Sequence, residues 1–464
     1  MTAASALGRP ARIAARRPAL PALFAVLGLA AVLLRAVPAV AHANLVRSDP
    51  AAGAVLAMAP AQVQLWFSEE PDPHFSDVQV TDANGRRVDR SDMHVAPGDR
   101  LSLIAGVNSS LPDGLYTIVW KTVSAVDGHV VNGGVPFYVG QPPAGVNVPA
   151  AAQSGPAGGA VLPGPGAVFD RWLGLLSGVL LAGGFAFWPL VLQPALSAAG
   201  VRVSQAASAS EGATPESRGL PAGVRRRWLA VLAVAWALLA LAGIVALVQQ
   251  VITVSGKDLL PAIGAPLRTE LLHTRYGHVW WLRAGATLAA GLALLALARS
   301  VGRRTGLALS AAGFVAVEGV FLAYSLNSHG AALTSQAGLA TAADFVHLSA
   351  AGLWLGGLAQ LALVVPHALC CFNAARRLRL LAAAVPRFST LALGSVAAIV
   401  ATGLYQAVRQ LPGWGAFTDT GYGRTLLLKL LLFVPVLALA ALNLLVIKPA
   451  LHRAARGDGG AAGR

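Results

Sequence analysis

The stretch YTIVWKTVSAVDGHVVNGGVPFYV, residues 116–139, decides the fold of the N-terminal part of this 464-residue chain. Leu115 to Trp120 is dense in Tyr, Ile, Val and Trp, and Val135 to Val139 supplies a second apolar run. Residues of this kind suit a pleated, half-buried surface. Upstream, Val63, Leu65 and Phe67 alternate with polar neighbours, and Val78 and Val80 repeat the pattern. Asn84-Gly85 marks a tight hairpin. Short strands with turn signals every ~10 residues predict a β-sandwich over residues 42–141. About 100 residues suffice for one such core. The segment has no Cys, so packing alone must hold it.

Between the two runs lies Ser124-Ala125-Val126-Asp127-Gly128-His129. Asp127 and His129 are two apart, and on a strand they would project from one face. A second nitrogen source comes from the N-terminus. Arg9, Arg12, Arg16 and Arg17 precede an apolar stretch from Ala19 to Leu34 and a small-x-small site, Ala39-Val40-Ala41. Residues 1–41 therefore read as a signal peptide. Cleavage after Ala41 leaves His42 with a free α-amine beside its imidazole. With Asp127 and His129 this offers three nitrogens and one oxygen, a set that suits tetragonal Cu(II) better than Cu(I).

Working toward the C-terminus, residues 142–165 are rich in Pro, Gly and Ala and read as a flexible or polyproline tether that lets the β domain sample the membrane face. Residues 166–448 predict an all-α membrane bundle of seven helices, near 168–194, 228–252, 279–298, 305–326, 340–365, 388–410 and 425–447. Each has close to the ~20 residues that cross a hydrocarbon core. Residues 449–464 form a tail. The composition agrees: 56% hydrophobic and 12% charged residues set the chain apart from soluble enzymes, in which about a quarter are charged.

The formal charge of +15 is uneven. Residues 1–41 carry +5, residues 42–160 carry −5 and residues 161–464 carry +15. Arg225 to Arg227, then Arg299, Arg303 and Arg304, then Arg376, Arg377, Arg379 and Arg387, then Lys448, Arg453 and Arg456 fall in alternate loops and the tail. These become cytoplasmic when the β domain is outside, as the positive-inside rule expects, and the basic balance does not indicate a nucleic-acid partner. The partner is the lipid bilayer.

The same topology sorts the ionisable residues of the bundle. His273 and His278 fall at the outer entrance of the third helix, and His329 just past the outer end of the fourth. Asp344 and His347 share one face of the fifth. Asp170 and Glu318 belong to the same set, Glu318 being deeper. Ionisable groups in membrane segments face a bundle interior or a cavity and mark function. His74 and His94 read as surface histidines. The chain has two Cys, Cys370 and Cys371, side by side in an inner loop, which excludes a disulfide scaffold and a thiolate cluster. Its only Met residues are at positions 1, 58 and 93.

On these residues the chain resembles two families. The post-signal His42, residues 116–139 and FSEEP at 67–71 are similar to CopC, a periplasmic, cupredoxin-like copper-binding sandwich. The resemblance implies a Cu(II) site on His42, Asp127 and His129, with Glu69 as the nearest match to a Glu sometimes involved and Glu70 as a second choice. Some CopC proteins carry a Met-rich Cu(I) loop; here only Met93-His94 stands in that region. HTRYGHVWWLRA at 273–284, NSHGAA at 327–332, ADFVHLSAAGLWLGGL at 343–358, RFSTLAL at 387–393, TGLYQA at 402–407 and YGRTLLLKLLL at 422–432 resemble CopD, the inner-membrane partner of CopC. CopD proteins are usually drawn with eight helices, against seven here.

The whole chain thus resembles a CopC–CopD fusion. That implies copper binding at the outer face and import across a bacterial inner membrane, in copper homeostasis or resistance. Periplasmic copper chaperones are implied as partners, and no enzyme activity is. The expected acceptors in the bundle are His329 and His347, with Asp344 and Glu318 behind them. Two rival readings are a tethered module that sequesters or delivers copper without transport, and a haem- or quinone-linked oxidoreductase using His329 and His347 as axial ligands.

Overall fold

A computed structural model describes residues 44–142, 153–154, 164–200, 222–300, 302–328, 337–411, 413, 415–450 and 453. Of the expected site, His42 and His329 lie outside them, as do the signal peptide and most of the C-terminal tail.

The N-terminal part is the expected β-sandwich. One sheet runs β1 (Leu45–Asp49), β3 (Gln62–Phe67), β6 (Asp99–Gly106), β5 (His94–Ala96). The other runs β2 (Val55–Leu56), β8 (Val130–Val139), β7 (Gly114–Val123), β4 (Asp77–Asp82). Alternation decides which side chains enter the core. Val63, Leu65 and Phe67 of β3 face Val78, Val80, Ile118, Trp120, Val135 and Phe137 of the second sheet, and all are buried. Each such side chain stabilises the fold by about 1.5–3 kcal/mol. Phe67 meets Trp120 edge-on at 5.5 Å.

Two local expectations need correction. Asn84-Gly85 does make a tight turn, with Gly85 at φ +78°. The returning chain forms only the isolated bridge Thr81–Arg87, because β4 takes β7 as its ladder partner. The tether is also not wholly free of the sheet. Gln153–Ser154 (β9) pairs antiparallel with Gly133 and Gly134 on the β8 edge.

Seven helices are long and apolar enough to span a membrane: Pro165–Ala198, Gly223–Ser255, Arg275–Arg299, Arg303–Leu326, Ala337–Cys370, Ala374–Val408 and Gly423–Ala450. They are called the first to seventh spans below. They match the seven expected helices, with longer ends. The sixth differs most: Arg376, Arg377, Arg379 and Arg387, expected in a loop, lie on its first turns. Asn373 caps that helix by accepting from the Arg376 N–H, so the helix starts well before the apolar run.

The first span packs against the second, fourth and fifth. Phe185, Trp228, Leu232 and Phe321 fill the centre, and Trp188 stacks on Trp228 at 4.4 Å. The first and fifth spans touch backbone to backbone. A Cβ added at Gly183 would lie 2.2 Å from the Gly356 carbonyl carbon. The fifth span passes this crossing as a π-helical turn, Gly352–Gly356. Large apolar side chains such as Leu241, Ile244, Val434 and Leu439 point outward, as a lipid-facing surface requires.

The arginines of the alternate loops gather at one end of the bundle. Arg225 donates to the carbonyls of Leu297 at 2.6 Å and Ser300 at 3.1 Å, and Arg227 to that of Leu363 at 2.6 Å. The β domain sits at the other end, against the C-terminal turns of the second span and the first residues of the third.

Candidate functional site

The turn between β7 and β8 carries Asp127 and His129. They do not share a strand face, as expected from their spacing; a closed turn brings them together. β7 and β8 pair without a break as far as Val123 and Val130. The Ser124 N–H then donates to the His129 carbonyl and the Gly128 N–H to the Ser124 carbonyl, each at 2.9 Å. Gly128 reverses the chain at φ +73°, a conformation that favours glycine. The Asp127 carboxylate accepts the His129 N–H at 3.1 Å, and its other oxygen lies 3.0 Å from His129 Nδ1. The carboxylate is buried, and the imidazole is held with part of its ring accessible. A carboxylate that holds an imidazole this way fixes its orientation and raises its basicity toward a metal.

Glu69 belongs to the same unit. The Ser124 hydroxyl donates to Glu69 Oε2 at 2.8 Å and accepts weakly from the N–H groups of Val126 and Asp127. The Ala125 N–H donates to the Glu70 carbonyl. Glu70 itself pairs outward with Arg100 at 2.8 Å, which leaves Glu69 as the member facing the turn. The first described residue, Asn44, is pinned beside them: its N–H donates to Ser68 Oγ and its carbonyl accepts the Ser68 N–H.

The turn rests on the bundle. Gln250 of the second span donates to the Gly128 carbonyl at 3.3 Å. Arg275 at the start of the third span donates to the Val126 carbonyl at 2.7 Å and to that of Leu326, at the end of the fourth span, at 2.8 Å. Lys121 donates to the Val254 carbonyl, and burial holds its ammonium below the ordinary lysine range. Val123 and Val130 pack with Val254 and Phe75. The expectation of a domain sampling the membrane face on its tether therefore gives way to a seated domain, with the Asp127–His129 turn at the contact.

The short helix Ala265–His273 completes this mouth. His74 and His94 are exposed histidines of the β domain, as expected, and His74 also stacks on His273 with ring centroids 5.8 Å apart. His74 Nδ1 lies 3.2 Å from Asp72 Oδ1. Glu270, one turn before His273, is buried. Burial and the negative charge of Asp72 push its carboxyl up to about 7, against hydrogen bonds from Gln250 and Thr274. The signals for this group were single residues in separate segments, and nothing in their spacing joined them.

Inside the bundle, His347 Nδ1 lies 2.9 Å from the Thr402 hydroxyl of the sixth span. That hydroxyl donates to the Ala398 carbonyl at 2.7 Å. With its proton on Ala398 the hydroxyl can accept from His347 Nδ1–H, the tautomer that keeps the lone pair on Nε2. Glu318 accepts from Ser349 of the fifth span, and its other oxygen is buried without a partner. Asp344 sits one turn before His347 on the same helix. Among the described residues, no three His, Cys, Asp or Glu side chains converge as a formed metal centre, so His347, Asp344 and Glu318 are not one site here. Cys370 and Cys371 are exposed and unbridged.

A further polar group joins the first, third and fourth spans. The Arg283 guanidinium lies over the Tyr324 ring at 4.5 Å, and an added Cβ at Gly174 would meet the Tyr324 hydroxyl at 2.1 Å and Arg283 Nη2 at 3.2 Å. Asp170 is buried one turn before Gly174. The bare Gly174 surface that admits the pair was its only trace in the sequence.

Comparison with known proteins matches a part of each half. A CopC domain model matches residues 45–140, and a Copper resistance protein D model matches residues 382–464. The Copper transport protein CutJ of Bacillus subtilis is 27% identical over 415 residues, 88% of this chain and 68% of that one. Protein YobA of Escherichia coli is 35% identical over 99 residues, 21% of this chain and 79% of that one. Among solved structures, CopC from Methylosinus trichosporium OB3b is 28% identical over 21% of this chain and 93% of its own, with a TM-score of 0.20. PcoC, a methionine-rich copper resistance protein from Escherichia coli, is 33% identical over 21% and 99%, with a TM-score of 0.19.

Proposed function

The chain is a CopC–CopD fusion, a multi-pass membrane protein of the copper-binding and copper-transport families, and from that premise we propose that it binds Cu(II) on its outer β domain and imports copper across the bacterial inner membrane. The observation that carries this reading is the turn that fixes Asp127 against His129 while Ser124 holds Glu69 beside it. His42 completes the proposed ligand set with its amine and ring. Asn44, two residues on, is tied to Ser68, and two residues of chain reach at most ~7 Å. That brings the mature N-terminus within range of the Glu69 side of the turn.

The basic end of the bundle supports the orientation. Arg residues of alternate loops share the end opposite the β domain, and by the positive-inside rule this supports a periplasmic β domain. Copper leaving the turn enters at the mouth formed by Gln250, Arg275 and the short helix. His347, with Nε2 as its basic nitrogen, is the first acceptor proposed among the described bundle residues, and His329 remains a proposed partner. Asp344 and Glu318 follow as weaker oxygen donors. Imidazole and carboxylate suit Cu(II), and the bundle has no Met.

The test is copper accumulation by copper-limited cells making the full chain, with copper counted inside the cytoplasm. Import predicts that His129→Ala and His347→Ala each abolish accumulation. Copper retained at the outer face in wild type, with none inside, would replace import by sequestration. A Soret band in the purified protein would replace both by the haem reading.

A further inference from the structure

The seated β domain brings two histidines from different domains into ring contact. His74 lies in the chain that leads into β4, and His273 ends the short helix before the third span. Their rings stack at 5.8 Å with planes 22° apart. Two carboxylates flank them. Asp72 Oδ1 holds His74 Nδ1 at 3.2 Å, which leaves Nε2 to carry the lone pair. Glu270 lies one helical turn before His273, is 1% exposed, and has Oε1 buried without a hydrogen-bond partner. The Asp72 charge helps to raise the Glu270 carboxyl.

A buried carboxylate oxygen with no partner is costly, and a native structure keeps one only where a ligand, ion or water can use it. The donor set of two imidazoles and two carboxylates is what Cu(II) takes. The location matters equally. The Asp127–His129 turn sits on the same mouth, held there by Gln250 and Arg275, and Gln250 also bonds Glu270. A relay must be weaker than the site that feeds it, or it would trap the ion. Among the described residues no three of these side chains come together as a metal-holding group, so what the contact offers an ion is the two imidazoles of His74 and His273 and no closed shell.

We infer that His74 and His273, flanked by Asp72 and Glu270, form a transient Cu(II) relay between the β-domain turn and the bundle. The inference rests on the proposal that copper passes from one to the other. No redox step is involved: the ion changes ligands, and each imidazole offers a nitrogen lone pair.

The experiment uses the full chain in lipid nanodiscs and in proteoliposomes. Cu(II) titration followed by electron paramagnetic resonance should show a tight copper and a second, weaker one with imidazole hyperfine coupling. His74→Ala and His273→Ala should each weaken the second copper by ~10-fold or more, the size expected when one supporting group is lost from a metal site. Both should leave the tight copper intact. Uptake should slow to a similar degree in either variant, and the double variant should be no slower than the slower single one, since both act on one ion. His94→Ala, an exposed histidine elsewhere on the same domain, should change nothing. Persistence of the second copper in the double variant would overturn the relay. So would unchanged uptake in both variants while His129→Ala abolishes it. Wild-type proteoliposomes that take up no copper would instead overturn import, and the second-copper titration would still decide the relay.

Discussion

The β-domain turn and the membrane acceptors offer similar donor atoms, yet they are built in opposite ways. In the turn, Ser124, Asp127 and His129 are tied to one another within six residues, and Glu69 is locked from across the sandwich. In the bundle, His347 has one hydroxyl partner and Glu318 keeps a buried oxygen unused. The first arrangement is preorganised, so an ion bound there, as proposed, would cost little ordering. The second leaves groups waiting along a route. The contrast is what capture followed by passage requires: a tight first site and loose later ones.

The comparison breaks most directly at its tight end. His129→Ala should weaken the first Cu(II) by about 100-fold, at the upper range for damage to a metal shell, whereas His347→Ala should leave that affinity unchanged and stop transport. Equal loss of Cu(II) affinity in both, read by competition titration with a chelator of known strength, would erase the distinction.

Gly128→Ala attacks the turn and its seat together. The residue sits at φ +73°, and its Cβ would come within 2.1 Å of Gln250 Nε2. A left-handed non-glycine residue costs about 1–2 kcal/mol, so Cu(II) affinity should fall roughly tenfold. The protease sensitivity of the tether should rise as the domain lifts. An unchanged cleavage rate would show that the turn does not seat the domain.

Thr402→Val tests the loose end. It removes the acceptor that holds His347 in its Nδ1–H form while preserving shape. Uptake should drop several-fold, on the order of the lower limit for an outer-shell loss, with the first Cu(II) untouched. Thr402→Ser should restore it.

The smallest effect separates the two domains by acid. Asp89 is buried, which would raise its pKa. Hydrogen bonds from the Arg87 guanidinium and the N–H groups of Val80 and Ser91 outweigh burial and hold it below the ordinary carboxylate value. Its contribution is therefore present above the unfolded carboxylate range and is lost as pH falls through the folded value. Tryptophan fluorescence of the sandwich should report acid loosening, and Asp89→Asn should flatten that dependence while lowering stability at neutral pH.

Much of the architecture was legible because it rests on periodicity. Val63, Leu65 and Phe67 announce their strand, and seven apolar runs announce seven spans. The start of the sixth span was not legible: Arg376 to Arg387 looked like a loop because charge was taken as the helix boundary, whereas the Asn373 cap sets it. Asp127 and His129 were legible by type and place and Glu69 only through the family resemblance, but Asp127 and His129 do not meet on a strand face. Hydrogen bonds of a turn join them, and spacing alone cannot tell a turn from a strand. The pairing of His74 with His273 was invisible for a different reason. It depends on how two domains sit together, and no local pattern encodes that.

The seat of the β domain has a consequence for how such chains diverge. Lys121, Gln250 and Arg275 all reach across to main-chain carbonyls, those of Val254, Gly128 and Val126. Every residue type presents the same carbonyl. Substitution at Val254 or Val126 leaves the acceptor in place, so apart from Gly128, whose conformation the turn requires, either half can drift in sequence without renegotiating the joint. A sandwich transplanted from a distant relative should therefore still find its place, provided the three reaching side chains and the backbone path are kept.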